Sequence, residues 1–82
     1  MKSRERDTLM SNYLKEEVGK KLKERREQLG MTQRQVAVAL GIAQPVYQRF
    51  EKGIFECSYS QLAAICRLYD ISADYLLGLK EY

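Results

Sequence analysis

Residues 32–53 read TQRQVAVALGIAQPVYQRFEKG, two short helical patterns separated by a turn. Thr32 with Gln35 three residues on is a capping box, which satisfies orphan amides at a helix start. Val36, Ala37, Val38, Ala39 and Leu40 follow, so the inner face of the first helix is apolar and small. Ala37 carries only a methyl group, which lets a second helix cross close by. Gly41 ends the helix, because glycine adopts the left-handed conformation of a tight exit without a Cβ penalty. A second helix starts at about Ala43 or Gln44. Pro45 fits only its first turn, where the missing amide hydrogen has no intrahelical partner anyway. Tyr47 and Phe50, three apart, point inward, and Gln44, Pro45, Gln48 and Arg49 point out.

A helix, a glycine turn and a second helix with an exposed amide-and-guanidinium face make a helix-turn-helix suited to reading DNA. Glutamine matches adenine and arginine matches guanine in the major groove, because each forms two parallel hydrogen bonds there. The stretch resembles the phage-repressor and Cro-like helix-turn-helix family, whose usual pattern is TQxxLAxxLGIS followed by a recognition helix ending in ExG. The matching positions are Thr32, Gln33, Ala37, Leu40, Gly41, Ile42, Glu51 and Gly53. The similarity extends over roughly 18–79 and implies an all-α, five-helix, lambda-repressor-like DNA-binding domain. Residues 1–17 then form a partly helical N-terminal extension about which the resemblance says nothing.

Working outward, 82 residues permit one small domain, of ordinary composition at 45% hydrophobic and 30% charged. No apolar run approaches the roughly 18 residues of a membrane span. The start MKSRERDTLM lacks a signal-peptide hydrophobic region. A cytoplasmic protein without membrane association is the expectation. The net charge of +3 is a weak signal, but its distribution is uneven. Residues 1–35 hold ten Lys or Arg against six Asp or Glu, and the remainder four against five. Basic charge gathered in one half suits phosphate contact, although a solvated helix face gives the same pattern. Cys57 and Cys66 lie nine apart in a chain without histidine, too few ligands for zinc, so neither a metal nor a cofactor is expected. Cys66 reads as a small buried thiol. Cys57 reads as a loop thiol, exposed enough that a regulatory disulfide stays open.

In chain order, Met1 to Asp7 is polar and expected to fray. Leu9, Met10, Tyr13, Leu14, Val18, Leu22 and Leu29 recur largely at three- and four-residue steps. They fit one long helix to Leu29, or two helices with the second starting near Glu16. Gly19 weakens either by about 1 kcal/mol relative to alanine. Leu9, Tyr13 and Leu14 cover either the edge of the domain's own core or a dimer contact. Gly30 ends this helix, and Met31 packs under the turn. Ser58 with Gln61 forms a second capping box, so a fourth helix starts near Tyr59 with Leu62, Ile65, Cys66 and Tyr69 facing inward. Asp70 supplies the left-handed exit that glycine usually provides. Ser72 caps a last short helix with Asp74 in its first turn, where the dipole favours negative charge. Leu76 enters the core, and Tyr75 or Leu77 is left for a subunit interface.

The resemblance assigns roles residue by residue. Gln44, Pro45, Gln48 and Arg49 stand at the base-reading positions, with Pro45 limited to apolar contact. Gln33 holds a phosphate at the start of the second helix, and Arg34 and Lys52 add phosphate contacts. Arg26 and Glu51 form an ion pair tying the first helix to the third, while Ala37 and Gly41 shape the crossing. Three positions depart from the pattern. Ala43 replaces a capping serine, a loss of about 1 kcal/mol of helix stability. Tyr47 is bulkier than the usual valine or isoleucine, and Ile54, Phe55 and Glu56 make a loop less basic than a DNA-gripping one. The expectation is a sequence-specific transcriptional repressor acting on double-stranded DNA as a homodimer, with recognition helices roughly 34 Å apart. The alternatives are an antitoxin-type partner of a small protein, or an interaction module without DNA binding, which exposed Ile54 and Phe55 would favour. No catalytic group is evident, since histidine is absent and no serine or cysteine has a base beside it.

Overall fold

A computed structural model describes residues 3–79, with side chains from residue 13 onward. Five helices follow one another: α1 (Ser3–Gln28), α2 (Gln33–Leu40), α3 (Gln44–Glu51), α4 (Tyr59–Tyr69) and α5 (Ala73–Leu76). Among the described residues there is no strand. The architecture is the all-α one expected.

Local chemistry accounts for the boundaries. Thr32 and Ser58 each accept from the backbone amide three residues on, while Gln35 and Gln61 reach back to close both boxes. Ser72 accepts from the Tyr75 amide at 3.0 Å. Gly41 leaves α2 at φ 70°, its amide and that of Ile42 returning to carbonyls of the last turn. Asp70 leaves α4 at φ 53°, the non-glycine left-handed exit that its short polar side chain permits. Ala43 makes no side-chain cap, and Pro45 sits in the first turn of α3 as its missing amide requires.

The first helix runs unbroken from Ser3 to Gln28. Of the two arrangements open in the sequence, the single helix is the one present, and no turn separates residues 3–17 from the rest of α1. It also begins inside the stretch expected to fray. The side chains of Leu9 and Met10 lie outside those described. Leu29 departs from the apolar stripe: it sits past the helix end and is exposed.

The core is made by Leu22, Val36, Ala37, Tyr47, Phe50, Ile65, Tyr69 and Leu76, all essentially solvent-free. The inner face of α2 packs on α3 and α4, and Ala37 on that face is 2% exposed. A second close approach lies between α1 and α3. A Cβ on Gly19 would stand 2.4 Å from the Glu51 carbonyl oxygen and 2.8 Å from that of Phe50. Past α3, Gly53 (φ 73°) brings its backbone against Glu16, where a Cβ would be 2.9 Å from the Glu16 Cα. Both glycines therefore mark close contacts, and both seat the C-terminal end of α3 against α1.

Two tyrosines fill the centre. The Tyr47 and Tyr69 hydroxyls share a buried hydrogen bond at 2.5 Å, and burial pushes both phenols above their usual range. The bulk of Tyr47 is thus absorbed by a polar partner across the core. The Tyr47 hydroxyl also bonds Glu51, so Tyr47→Phe strands the Tyr69 hydroxyl, whereas Tyr69→Phe leaves the Tyr47 hydroxyl one partner. Tyr47→Phe should cost about 1–3 kcal/mol and Tyr69→Phe less, with the double variant clearly below the sum. Urea denaturation of the three variants checks this, and additive losses would show that the hydroxyls do not depend on each other.

Much of the basic charge of α1 is used inside the molecule. Arg25 donates to the Tyr69 carbonyl at the end of α4 (2.8 Å), and Lys21 donates to the Tyr75 carbonyl of α5 (2.8 Å). Lys21 also lies over the Tyr75 ring, and Lys20 pairs with Glu17. The N-terminal surplus of positive charge is therefore partly a set of carbonyl clamps, which lowers its value as a sign of phosphate contact. Cys57 and Cys66 are free and both half-buried, so Cys57 is less exposed and Cys66 less buried than expected. Burial pushes both thiols up, away from the reactive thiolate.

Candidate nucleic-acid interface

The geometry of the α2–α3 surface follows from one carboxylate. Glu51, on the last turn of α3, has a side chain only 4% exposed. Arg26 reaches it from α1 with two parallel bonds, Nε to Oε2 at 2.6 Å and Nη2 to Oε1 at 3.1 Å. The remaining Arg26 nitrogen, Nη1, donates to the Met31 carbonyl at 3.0 Å, which ties in the turn before α2. Burial alone would raise the Glu51 carboxyl, but hydrogen bonds from Arg26, Gln33 and Tyr47 outweigh it and hold the group below its ordinary value. Arg26 is shifted the opposite way, upward, chiefly by its bond to Glu51.

An ionised carboxylate only accepts, and this gives the neighbouring amides their direction. Gln33 must turn its nitrogen to Glu51, and Nε2 donates to Oε1 at 2.9 Å. The Gln33 oxygen then faces α3, where it accepts from Gln44 Nε2 at 3.0 Å. Gln44 is left with its oxygen and one N–H, an adjacent acceptor and donor. Charge buried at the end of α3 thus orients an amide at its beginning, through a residue of α2.

Around Gln44 the other named side chains fall into place by exposure. Pro45, Arg49, Lys52 and Arg34 are exposed, and Gln48 is half-exposed. The Arg49 guanidinium stands over the Phe55 ring, 5.3 Å from its centroid. Gln33 is half-buried and committed on two sides, so only one N–H remains for a phosphate. Ala37 is buried in the core and Gly41 ends α2 at the turn. The family pattern put Arg26 opposite Glu51 but did not reveal the Glu51–Gln33–Gln44 chain, since Gln33 reads equally well as a solvated cap residue. It also missed Phe55 as a neighbour of Arg49; an aromatic six residues past an arginine carries no helical periodicity across a turn. Among the described residues no group of three or more His, Cys, Asp or Glu is placed to hold a metal ion. None of the described helices is long and apolar enough to cross a membrane.

The helix-turn-helix family model matches residues 22–76. The chain belongs to this family. Three curated relatives, all from Bacillus subtilis (strain 168), match over most of the helix-turn-helix domain. The uncharacterized HTH-type transcriptional regulator YqaE is 43% identical over 56 residues, 68% of this chain and 48% of its own length. The HTH-type transcriptional regulator ImmR is 36% identical over 64 residues, 78% of this chain and 50% of its own. The uncharacterized HTH-type transcriptional regulator YobD is 34% identical over 61 residues, 74% of this chain and 54% of its own. The chain spans about half the length of these relatives, each of which is named as a regulator rather than an enzyme. No solved structure matches the chain.

Proposed function

We propose that this helix-turn-helix chain is a sequence-specific DNA-binding transcriptional regulator, acting as a repressor in a homodimer on a two-fold site. The observation that carries the reading is the fixed Gln44 amide, aimed outward from α3 by Gln33 and Glu51 beside exposed Pro45 and Arg49. Its free oxygen and N–H match the N6 donor and N7 acceptor of adenine. In this reading α3 enters the major groove, where Gln44 and Gln48 read bases, Arg49 takes a guanine and Pro45 meets a thymine methyl. The start of α2 lies on the backbone, where Gln33 and the first amides hold a phosphate. Arg34 and Lys52 contact phosphates on either side. A cytoplasmic location follows for a protein that acts on DNA.

Dimerisation is supported by an apolar cleft of about 180 Å³ whose walls include Leu14, Val18, Phe55, Cys57, Tyr59 and Leu77. Tyr59, on its rim, is 93% exposed. Sedimentation of the chain alone and with duplex tests whether two copies bind one site.

The direct test is selection of bound duplex from a random pool at low salt. Arg49→Ala should then weaken the selected site by about 1–3 kcal/mol and leave non-specific binding almost unchanged. Gln33→Ala should weaken all duplexes through the lost phosphate contact and, because Gln44 is released, also relax the base preference opposite Gln44. Loss of that preference without any change in non-specific affinity would remove Gln33 from the phosphate. A second reading, an interaction module or antitoxin-type partner of a small protein, is favoured by exposed Ile54 and Phe55. Failure to enrich any salt-sensitive sequence would decide for it.

A further inference from the structure

We infer that Phe55 is a positioning residue for base recognition: the loop after α3 carries an aromatic platform that sets the plane of the Arg49 guanidinium. The inference rests on the reading of Arg49 as a base contact and extends it to a residue that no helix-turn-helix pattern marks. The ring lies under the guanidinium, 5.3 Å from centroid to the central carbon, the separation at which a planar cation is attracted to a π face.

The platform is itself held in place. The Arg49 carbonyl accepts from the Ile54 amide at 3.0 Å and from the Phe55 amide at 3.4 Å, so the loop is bonded to the residue it supports. Upstream, Gly53 lies against the Glu16 backbone. Downstream, Cys57 packs on the core and the Ser58 capping box opens α4. Three anchors within six residues leave Phe55 little freedom to follow the arginine, so the arginine conforms to the ring. Arginine otherwise has a long, freely rotating stem, and its discrimination of guanine depends on presenting two N–H groups in one plane. A guanidinium held over the ring reaches the groove with fewer orientations open to it. Phe55 stays 43% exposed with the cation over its ring, and it also lines the cleft.

The test uses the full chain and the duplex it selects from random sequence, together with duplexes carrying each other base pair at the position Arg49→Ala identifies. Phe55→Leu should lower discrimination at that position about two- to five-fold, the strength of an exposed cation–π contact, with affinity for a random duplex unchanged. Phe55→Tyr should restore it, and Phe55→Leu in the Arg49→Ala background should change nothing further. Full discrimination by Phe55→Leu, or a loss that tyrosine does not restore, overturns the inference while leaving Arg49 as a base contact. If Arg49→Ala leaves every base preference intact, the reading of Arg49 fails and the platform with it. Should Phe55→Leu not fold, the unmodified chain still decides: ring current must move the Arg49 side-chain protons upfield, and resonances at their ordinary positions overturn the stack.

Discussion

Arg26→Met is expected to destabilise the fold by about 3–5 kcal/mol, because it strands the Glu51 carboxylate in a nearly dry site. A domain of this size has a total stability of only about 4–12 kcal/mol, so the variant should be largely unfolded well below the melting temperature of the parent. Exposure decides which regime applies. Surface ion pairs contribute about 0–1 kcal/mol, but here the two side chains are 13% and 4% exposed and the contact is bidentate. The loss comes from the unpaired charge rather than from an attractive bond, so Arg26→Met combined with Glu51→Leu should recover most of it. Urea denaturation of both single variants and the double measures the coupling. A loss below about 1 kcal/mol for Arg26→Met would mean that the carboxylate is solvated after all.

The same pair gives stability a definite dependence on acid. The folded-state pKa of Glu51 lies below its ordinary value of 4.5. Its contribution is therefore fully present above that value and lost as pH falls through the depressed one. Stability of the parent should fall in this acid range, and Glu51→Gln should flatten the fall while lowering stability at neutral pH. Equal acid slopes for the two proteins would show that another carboxylate controls the transition.

Gly19→Ala poses two opposed effects on one helix. Alanine favours a helix interior over glycine by about 1 kcal/mol, so propensity alone makes the change stabilising. The added methyl, however, would meet the Glu51 and Phe50 carbonyl oxygens at 2.4 and 2.8 Å, both of them backbone atoms of α3. A side chain could rotate aside; these carbonyls move only if α3 moves. Overpacking of this kind costs about 1–3 kcal/mol and occasionally more, and a backbone obstacle puts it at the upper end. The clash should win, with a net loss of about 2 kcal/mol. Because the displaced element is α3, weaker DNA binding should appear even at temperatures where the variant is folded. Thermal melts and duplex titrations of the same preparation check both, and a raised melting temperature would show that α1 and α3 are less closely seated than these distances require.

What was legible in the sequence was what neighbours along the chain determine. Thr32 with Gln35, Ser58 with Gln61, and Ser72 each cap a helix by bonds that span three residues, so the pattern contains both partners. Gly41 and Asp70 are readable for the same reason. The role of Gly19 was not, since on one strand of text it is only a poor helix former, and its meaning depends on carbonyls far along the chain. Lys21 and Arg25 likewise look like a solvated basic stripe until α4 and α5 are folded under them. Around the candidate interface, periodicity separates inward from outward faces on α3. It gives no sign that Gln33 on another helix restrains Gln44, or that Phe55 returns across a turn to Arg49. Arg26 and Glu51 are the exception: family resemblance, rather than periodicity, brought them together.

On the proposed reading of Gln44 as a base contact, the amide chain from Glu51 to Gln44 has a kinetic corollary. A glutamine free to swing can find some accommodation with almost any base, so a wrong site would be left slowly and by degrees. An amide already tethered at one edge offers a single pattern, and a duplex that lacks the complement meets no second choice. Time lost on incorrect sequence would then be short, and the scanning speed of the protein would trace back to a carboxylate that never touches the nucleic acid.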